Sequence, residues 1–161
     1  MPPRTVVFDF DGTLADTLAV GLRASNTVAP EFGLREVGDE EVDALRTMST
    51  RGTLRHLGVP FRKLPRLVQR VRREMNRQMP SVRLFDGVPE CLDELHASGV
   101  ELGVLTSNSH ENVELCLRNN GVAGHVAFVR TSMHLFGKHH ALRRLLADRR
   151  LDPATAMYVG D

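Results

Sequence analysis

The chain has 161 residues, 42% of them hydrophobic, with 21 basic and 20 acidic side chains and a formal net charge of +1. That content suffices for one good core and a small appended module. The balanced charge excludes a whole-protein field favouring nucleic acid or an anionic membrane. Strand-like sequence begins by Thr5, leaving no room for a signal peptide, and no segment approaches the roughly 18 apolar residues of a membrane span. The two cysteines, Cys91 and Cys116, lie far apart among apolar helical positions, which predicts reduced core thiols rather than a disulfide or a metal site. The expectation is a cytoplasmic protein with neither a nucleic-acid nor a membrane partner.

In chain order, TVVFDF at 5–10 is a short apolar run rich in β-branched and aromatic residues, as in a strand buried on both faces. Residues 17–80 carry little β signal and several helical patterns, and read as an insert. Within it Leu64, Leu67, Val68, Val71 and Met75 form an apolar stripe between an entry at Pro65 and an exit at Pro80. The opposite face holds Arg62, Lys63, Arg66, Arg70, Arg72, Arg73 and Arg77. The acidic stretch Glu36, Asp39, Glu40, Glu41 and Asp43 offers these an internal counterpart, and no aromatic platform accompanies the arginines, so a solvated or internally paired face is expected over a nucleic-acid site.

Beyond the insert, Asp86 and Gly87 lead into a helix with Pro89 in its first turn and Gly99 past its end. VELGVLTS at 100–107 is a second buried strand, a helix over 110–119 stops at Asn120 and Gly121, and a third strand covers about 125–130. A helix over 138–148 places Ala141, Leu142, Leu145 and Leu146 on one face, and AMYVGD at 156–161 supplies the fourth strand. Strands alternating with helices predict an α/β fold, a Rossmann-like three-layer core around a parallel sheet.

Open parallel sheets bind ligands at the carboxyl ends of their strands, where Asp9 and Asp11 stand. Two carboxylates about 5 Å apart repel by roughly 3 kcal/mol at an effective dielectric of 20, so the pair needs a proton on one member or a nearby cation. Mg²⁺ suits a few carboxylate oxygens together with substrate phosphate and water. One aspartate would then attack phosphorus while the other passes a proton to the leaving group. Gly12 allows close backbone approach, which aims neighbouring amides at phosphoryl oxygens. Thr106, Ser107 and Asn108 end the second strand and are candidate phosphate holders, Lys138 opens a later helix and can add positive charge, and Asp161 ends the fourth strand as a candidate metal ligand. Singly, these could be a helix cap, a solvent-facing lysine and a turn residue. Their order, each at or beyond a successive strand end, favours a common site.

These residues resemble the haloacid dehalogenase superfamily of phosphohydrolases, whose signature DxDGT is matched by Asp9, Phe10, Asp11, Gly12 and Thr13, with later motifs matched by Thr106, Lys138, and Gly160 with Asp161. The resemblance implies Asp9 as the nucleophile that forms an aspartyl-phosphate, Asp11 as general acid and base, and Thr106 and Lys138 on the phosphate. It also implies Mg²⁺ held by Asp9, Asp161 and the backbone carbonyl of Asp11. The insert is similar to the helical cap of the phosphoglycolate phosphatase and β-phosphoglucomutase branch, giving a discontinuous core of 1–16 and 81–161 and a cap of 17–80. Residues 46–58, RTMSTRGTLRHLG, resemble the substrate-facing cap segment, with Arg51 as a candidate contact; Thr47 stands where relatives often carry glycine. Lys138 is followed by His139 and His140 rather than the branch's usual proline, and both are expected at the surface.

In this family another acid, a helix and a fifth strand follow the GD pair, so the expected core lacks its last strand and helix within residues 1–161. The resemblance implies a Mg²⁺-dependent phosphomonoester hydrolase acting on a small phosphorylated metabolite. A sugar phosphomutase shares the core and differs in cap contacts. Dehalogenase and phosphonatase relatives lack the equivalent of Asp11, and the long helical insert does not suit a compact phospho-receiver. A non-catalytic regulatory module is the alternative of another class. Neither the carbon skeleton of the ester nor the oligomeric state is legible in the residues.

Overall fold

The computed structural model describes residues 2–48, 50–132 and 138–160, without the side chains of residues 39, 46, 50, 51 and 138. The chain divides into two compact units, Met1–Thr17 with Met79–Asp161, and Leu18–Gln78.

The first unit is built on a parallel sheet of four strands in the order β3-β2-β1-β4, comprising β1 (Thr5–Phe8), β2 (Glu101–Thr106), β3 (Val126–Thr131) and β4 (Ala156–Val159). The central strand β1 is buried throughout and pairs on both edges, Phe8 standing opposite Val104 of β2 and Val159 of β4. This is why its sequence is a continuous apolar run without polar alternation. Between the strands run helices, as the alternation predicts. Val88–Ala97 starts behind Gly87 and Pro89, His110–Asn119 starts behind Ser109, whose side chain accepts the Asn112 N–H, and Lys138–Arg149 follows β3.

One face of the sheet packs Val7 and Leu105 against Leu145 of the last helix, with Phe128, Ala141, Leu142 and Tyr158 around them. Because side chains alternate along a strand, Val6, Phe8, Leu102 and Val104 point to the other face, and all four are buried. Gly103 sits in mid-strand because the Phe128 ring occupies the space a side chain would take: a Cβ there would lie 2.1 Å from Phe128 Cζ. The Arg149 guanidinium covers that ring at 4.0 Å from its centroid and pairs with Glu101 at 3.2 Å.

β1 stops at Phe8, two residues before the apolar run suggests, because the chain turns sharply. Phe10 remains fully buried, while its carbonyl accepts the N–H groups of Thr13, Leu14 and Ala15. Ala15 then bridges antiparallel to Leu84, and Phe85 N–H donates to Leu14 O at 3.0 Å. The segments leaving and re-entering this unit therefore lie side by side, which lets 61 residues, Leu18–Gln78, be inserted without opening the sheet.

The second unit holds α1 (Leu18–Val28), α2 (Val42–Thr47), α3 (Thr50–His56) and α4 (Leu64–Gln78). The helices of the first unit, in chain order, are α5 (Val88–Ala97), α6 (His110–Asn119) and α7 (Lys138–Arg149). α1 packs along α4, burying Val20, Ala24 and Val28. Of the predicted α4 stripe only Leu67 is buried, since a helix pair this thin covers a narrow seam.

Two expectations are corrected here. Cys91 is exposed on α5, whereas Cys116 is buried as predicted; both thiols are free. Arg70 and Arg77 of α4 are paired within the insert, as expected of an internally paired face, but not with the acidic stretch 36–43 that the sequence offered. Arg70 instead pairs with Glu31 at 2.7 Å and lies 3.8 Å from Glu74, which also takes Arg77 at 3.1 Å. Glu41 of the acidic stretch binds Arg35 and, at 3.1 Å, His56. Those hydrogen bonds hold its carboxyl at about 2. No helix among the described residues is long and apolar enough to cross a membrane.

Candidate active site

The site is assembled at the carboxyl ends of β1 and β2. Asp9 follows β1 directly and is 3% exposed, its backbone N–H donating to Val159 O of β4 at 2.8 Å. Its Oδ1 accepts the N–H of Phe10 at 2.9 Å, which orients the carboxylate from within its own loop. Behind it stands Gly160, where a Cβ would come within 2.7 Å of Asp9 Cβ and 2.9 Å of Tyr158 Oη. Only a residue without a side chain lets β4 end so close to the buried acid.

Asp11 lies two residues on, half-buried, and both of its oxygens are engaged across the sheet. Thr106 Oγ1, at the end of β2, donates to Oδ2 at 3.2 Å, and Asn108 Nδ2 donates to Oδ1 at 3.0 Å. The Asn108 N–H in turn donates to Thr106 Oγ1 at 3.0 Å. The predicted Thr106 and Asn108 therefore meet Asp11 itself, so any phosphate contact they make is additional to that duty. Ser107, between them, is exposed at the strand end.

Gly12 adopts φ +76°, the left-handed conformation that the turn after Asp11 requires. Its own N–H donates to Ala15 O at 3.0 Å, so Gly12 contributes the turn, and its amide is directed into that turn rather than toward an incoming anion. His139 and His140 are exposed, as expected, with ring centroids 3.9 Å apart. Asp161 lies outside the described residues, as do the side chains of Arg51, in α3, and of Lys138, at the start of α7.

Sequence inspection missed two parts of this arrangement. Asn112, 6% exposed, donates from Nδ2 to Asn108 Oδ1 at 3.0 Å. The available signal was the i, i+4 spacing of Asn108, just before the Ser109 cap, and Asn112, in the first turn of α6. The other is the seating of Asp9 against Gly160, which no local pattern announces.

The donor chemistry of the aspartates suits a hard divalent cation. Asp9 offers its carboxylate and Asp11 its main-chain carbonyl, oxygen donors just past the end of β1, without the thiolate or imidazole ligands that select softer metals. Among the described residues no three acidic, histidine or cysteine side chains form a metal cluster, and the third ligand expected from the sequence, Asp161, is outside them.

A parallel sheet thus carries paired aspartates at its central strand end, braced by a hydroxyl and an amide from the neighbouring strand end. Residues 6–161 match the family described as haloacid dehalogenase-like hydrolase. The chain belongs to that family. It is 35% identical over 158 residues to a phosphoglycolate phosphatase of Synechococcus elongatus, a match covering 98% of this chain and 74% of that protein. A phosphoglycolate phosphatase of Xylella fastidiosa is 31% identical over 168 residues, covering 99% and 72%. The fold is shared with CbbY from Rhodobacter sphaeroides, solved in complex with phosphate, at a TM-score of 0.74, 21% identity, and coverage of 97% of this chain and 76% of that one. The haloacid dehalogenase-like protein is thus a hydrolase of the phosphatase kind, placed with the phosphoglycolate phosphatase branch by its sequence relatives.

Proposed function

We propose that the protein is a Mg²⁺-dependent phosphomonoester hydrolase of a small organic phosphate, working through a phosphorylated Asp9. The observation that carries this is the unequal treatment of two neighbouring carboxylates. Asp9 is buried and held by its own loop, while Asp11 is half-buried with a hydrogen-bond donor on each oxygen. Fixed, differently housed acids suit one for attack and the other for proton transfer.

In the first step an Asp9 oxygen forms a bond to phosphorus as the ester P–O bond breaks. Asp11 supplies a proton to the departing oxygen. In the second, water attacks the same phosphorus, the Asp9 O–P bond breaks, and Asp11 takes the proton from water, which restores both carboxyl groups. Thr106 and Asn108 keep Asp11 in one rotamer across both transfers. Mg²⁺, bound by Asp9, Asp161 and the Asp11 carbonyl, would offset the charge of phosphate and nucleophile. Lys138 is assigned to the phosphate on the sequence motif, and Ser107 on its exposed place at the end of β2.

We assign Leu18–Gln78 the role of the cap that selects substrate, with Arg51 as its contact. Phosphoglycolate is the first ester to test, because the relatives matched over nearly the whole chain carry that activity in their names. The free thiols fit a reducing, cytoplasmic setting. The deciding experiment is phosphate release from an aryl phosphate by the purified chain, with Mg²⁺ and with excess chelator, beside Asp9→Asn. Loss of turnover in both the chelated sample and the folded variant is expected; turnover by Asp9→Asn would remove the covalent mechanism. Arg51→Ala should shift preference across a panel of small phosphates, and an unchanged ranking would remove Arg51.

A further inference from the structure

We infer that Asn112, on the buried side of α6, is a positioning residue for Asp11 that acts through Asn108; the inference rests on the proton-transfer role proposed for Asp11. Asn112 Nδ2 donates to Asn108 Oδ1 at 3.0 Å, and the N–H of Ser109 donates to the same oxygen at 2.8 Å. A carboxamide oxygen has two lone pairs, and both acceptor places are thereby filled. The amino end of Asn108 is left facing Asp11 Oδ1, 3.0 Å away.

The same reasoning directs Thr106. Its Oγ1 already accepts the Asn108 N–H, so its single proton goes to Asp11 Oδ2. The Asn108 donor thus has its sense set from the first turn of α6, while the Thr106 donor is held by the main chain just before that helix. Asn112 is itself tied to that turn, its backbone N–H donating to Ser109 Oγ at 3.2 Å. Asn112 is the third residue of α6, and burying its amide is unfavourable unless the amide is used. Here it orients the side chain that braces Asp11.

The test uses the full chain with Mg²⁺ and two substrates, an aryl phosphate with a good leaving group and an alkyl phosphate with a poor one. Asp11→Asn is the reference, since loss of the proton donor falls mainly on the alkyl ester. Asn112→Ala is expected to lower kcat on the alkyl phosphate about 10-fold with KM unchanged, and to spare the aryl phosphate. Asn112→Asp keeps the shape but only accepts hydrogen bonds, so it draws the Asn108 amino group to itself and presents Asp11 with an oxygen. It should lose more than Asn112→Ala, whereas a packing role predicts the opposite order. In an Asn108→Ala background, Asn112→Ala should have no further effect on the alkyl ester. The Asn108 side-chain amide protons, followed by NMR, should exchange faster once Asn112 is replaced.

Equal losses on both esters, a milder Asn112→Asp, or additive losses with Asn108→Ala would each overturn the inference. If Asn112→Asp does not fold, as judged by thermal melts, the double replacement and the amide exchange decide it. Absence of leaving-group selectivity in Asp11→Asn itself would instead overturn the role of Asp11, and the inference with it.

Discussion

Replacing Gly160 with alanine should cripple the enzyme by steric contact with the proposed nucleophile. The added Cβ would sit 2.7 Å from Asp9 Cβ and 2.9 Å from Tyr158 Oη. Carbon atoms settle at about 3.5–4.0 Å, so the contact with Asp9 must open by about 1 Å. Little can yield. Asp9 N–H is tied to Val159 O at 2.8 Å, Tyr158 belongs to the packed face of β4, and Asp9 is buried with its carboxylate held by the Phe10 N–H. The side chain that moves is the proposed nucleophile, and a displacement of about 1 Å from an attack geometry costs about 10²-fold in rate. Overpacking should also lower stability by about 1–3 kcal/mol. The assay is steady-state phosphate release beside a thermal melt, to score only folded enzyme. A kcat within about threefold of the parent would show that Asp9 is not positioned by this contact, and would refute the seating of the nucleophile described above.

Three other outcomes follow from the packing and charge pattern. Gly103→Ala should destabilise the first unit by about 1–3 kcal/mol, read by urea unfolding, because the new Cβ falls 2.1 Å from Phe128 Cζ; Phe128→Leu in the same chain should recover part of the loss. Glu41, whose carboxyl is held at about 2 against an ordinary value of 4.5 by Arg35 and His56, contributes stability above pH 4.5 that is lost as pH falls through 2. The stability difference between parent and Glu41→Gln should therefore shrink on acidification across that window; a constant difference would remove the linkage. Alkylation of the folded chain should label Cys91 and spare Cys116, which is buried, with its thiol pushed up to about 11 by desolvation; equal labelling would contradict that burial.

What residues 1–161 determine by themselves is what depends on local chemistry. A run of β-branched and aromatic residues, a Gly-Pro entry, a serine cap and an asparagine-glycine stop each act within one or two helical turns. The strands and helices of the first unit, and α4 in the second, were therefore legible to within a residue or two, β1 and β4 each stopping two residues before the expected end, whereas α1, α2 and α3 were legible only as a helical insert. The two aspartates at the central strand end were legible for the same reason, since like charges on an apolar run need an explanation wherever the chain folds. Tertiary structure alone decided which groups meet. Asp11 and its donors Thr106 and Asn108 are separated by 95 and 97 residues, Gly160 reaches Asp9 from the other edge of β1, and Arg70 finds Glu31 rather than the nearer-looking acidic stretch. Strand register sets the pairings around Asp9 and Asp11, since a shift of one residue would turn each side chain to the opposite face, and register is a property of the assembled sheet; helix packing sets the partner of Arg70.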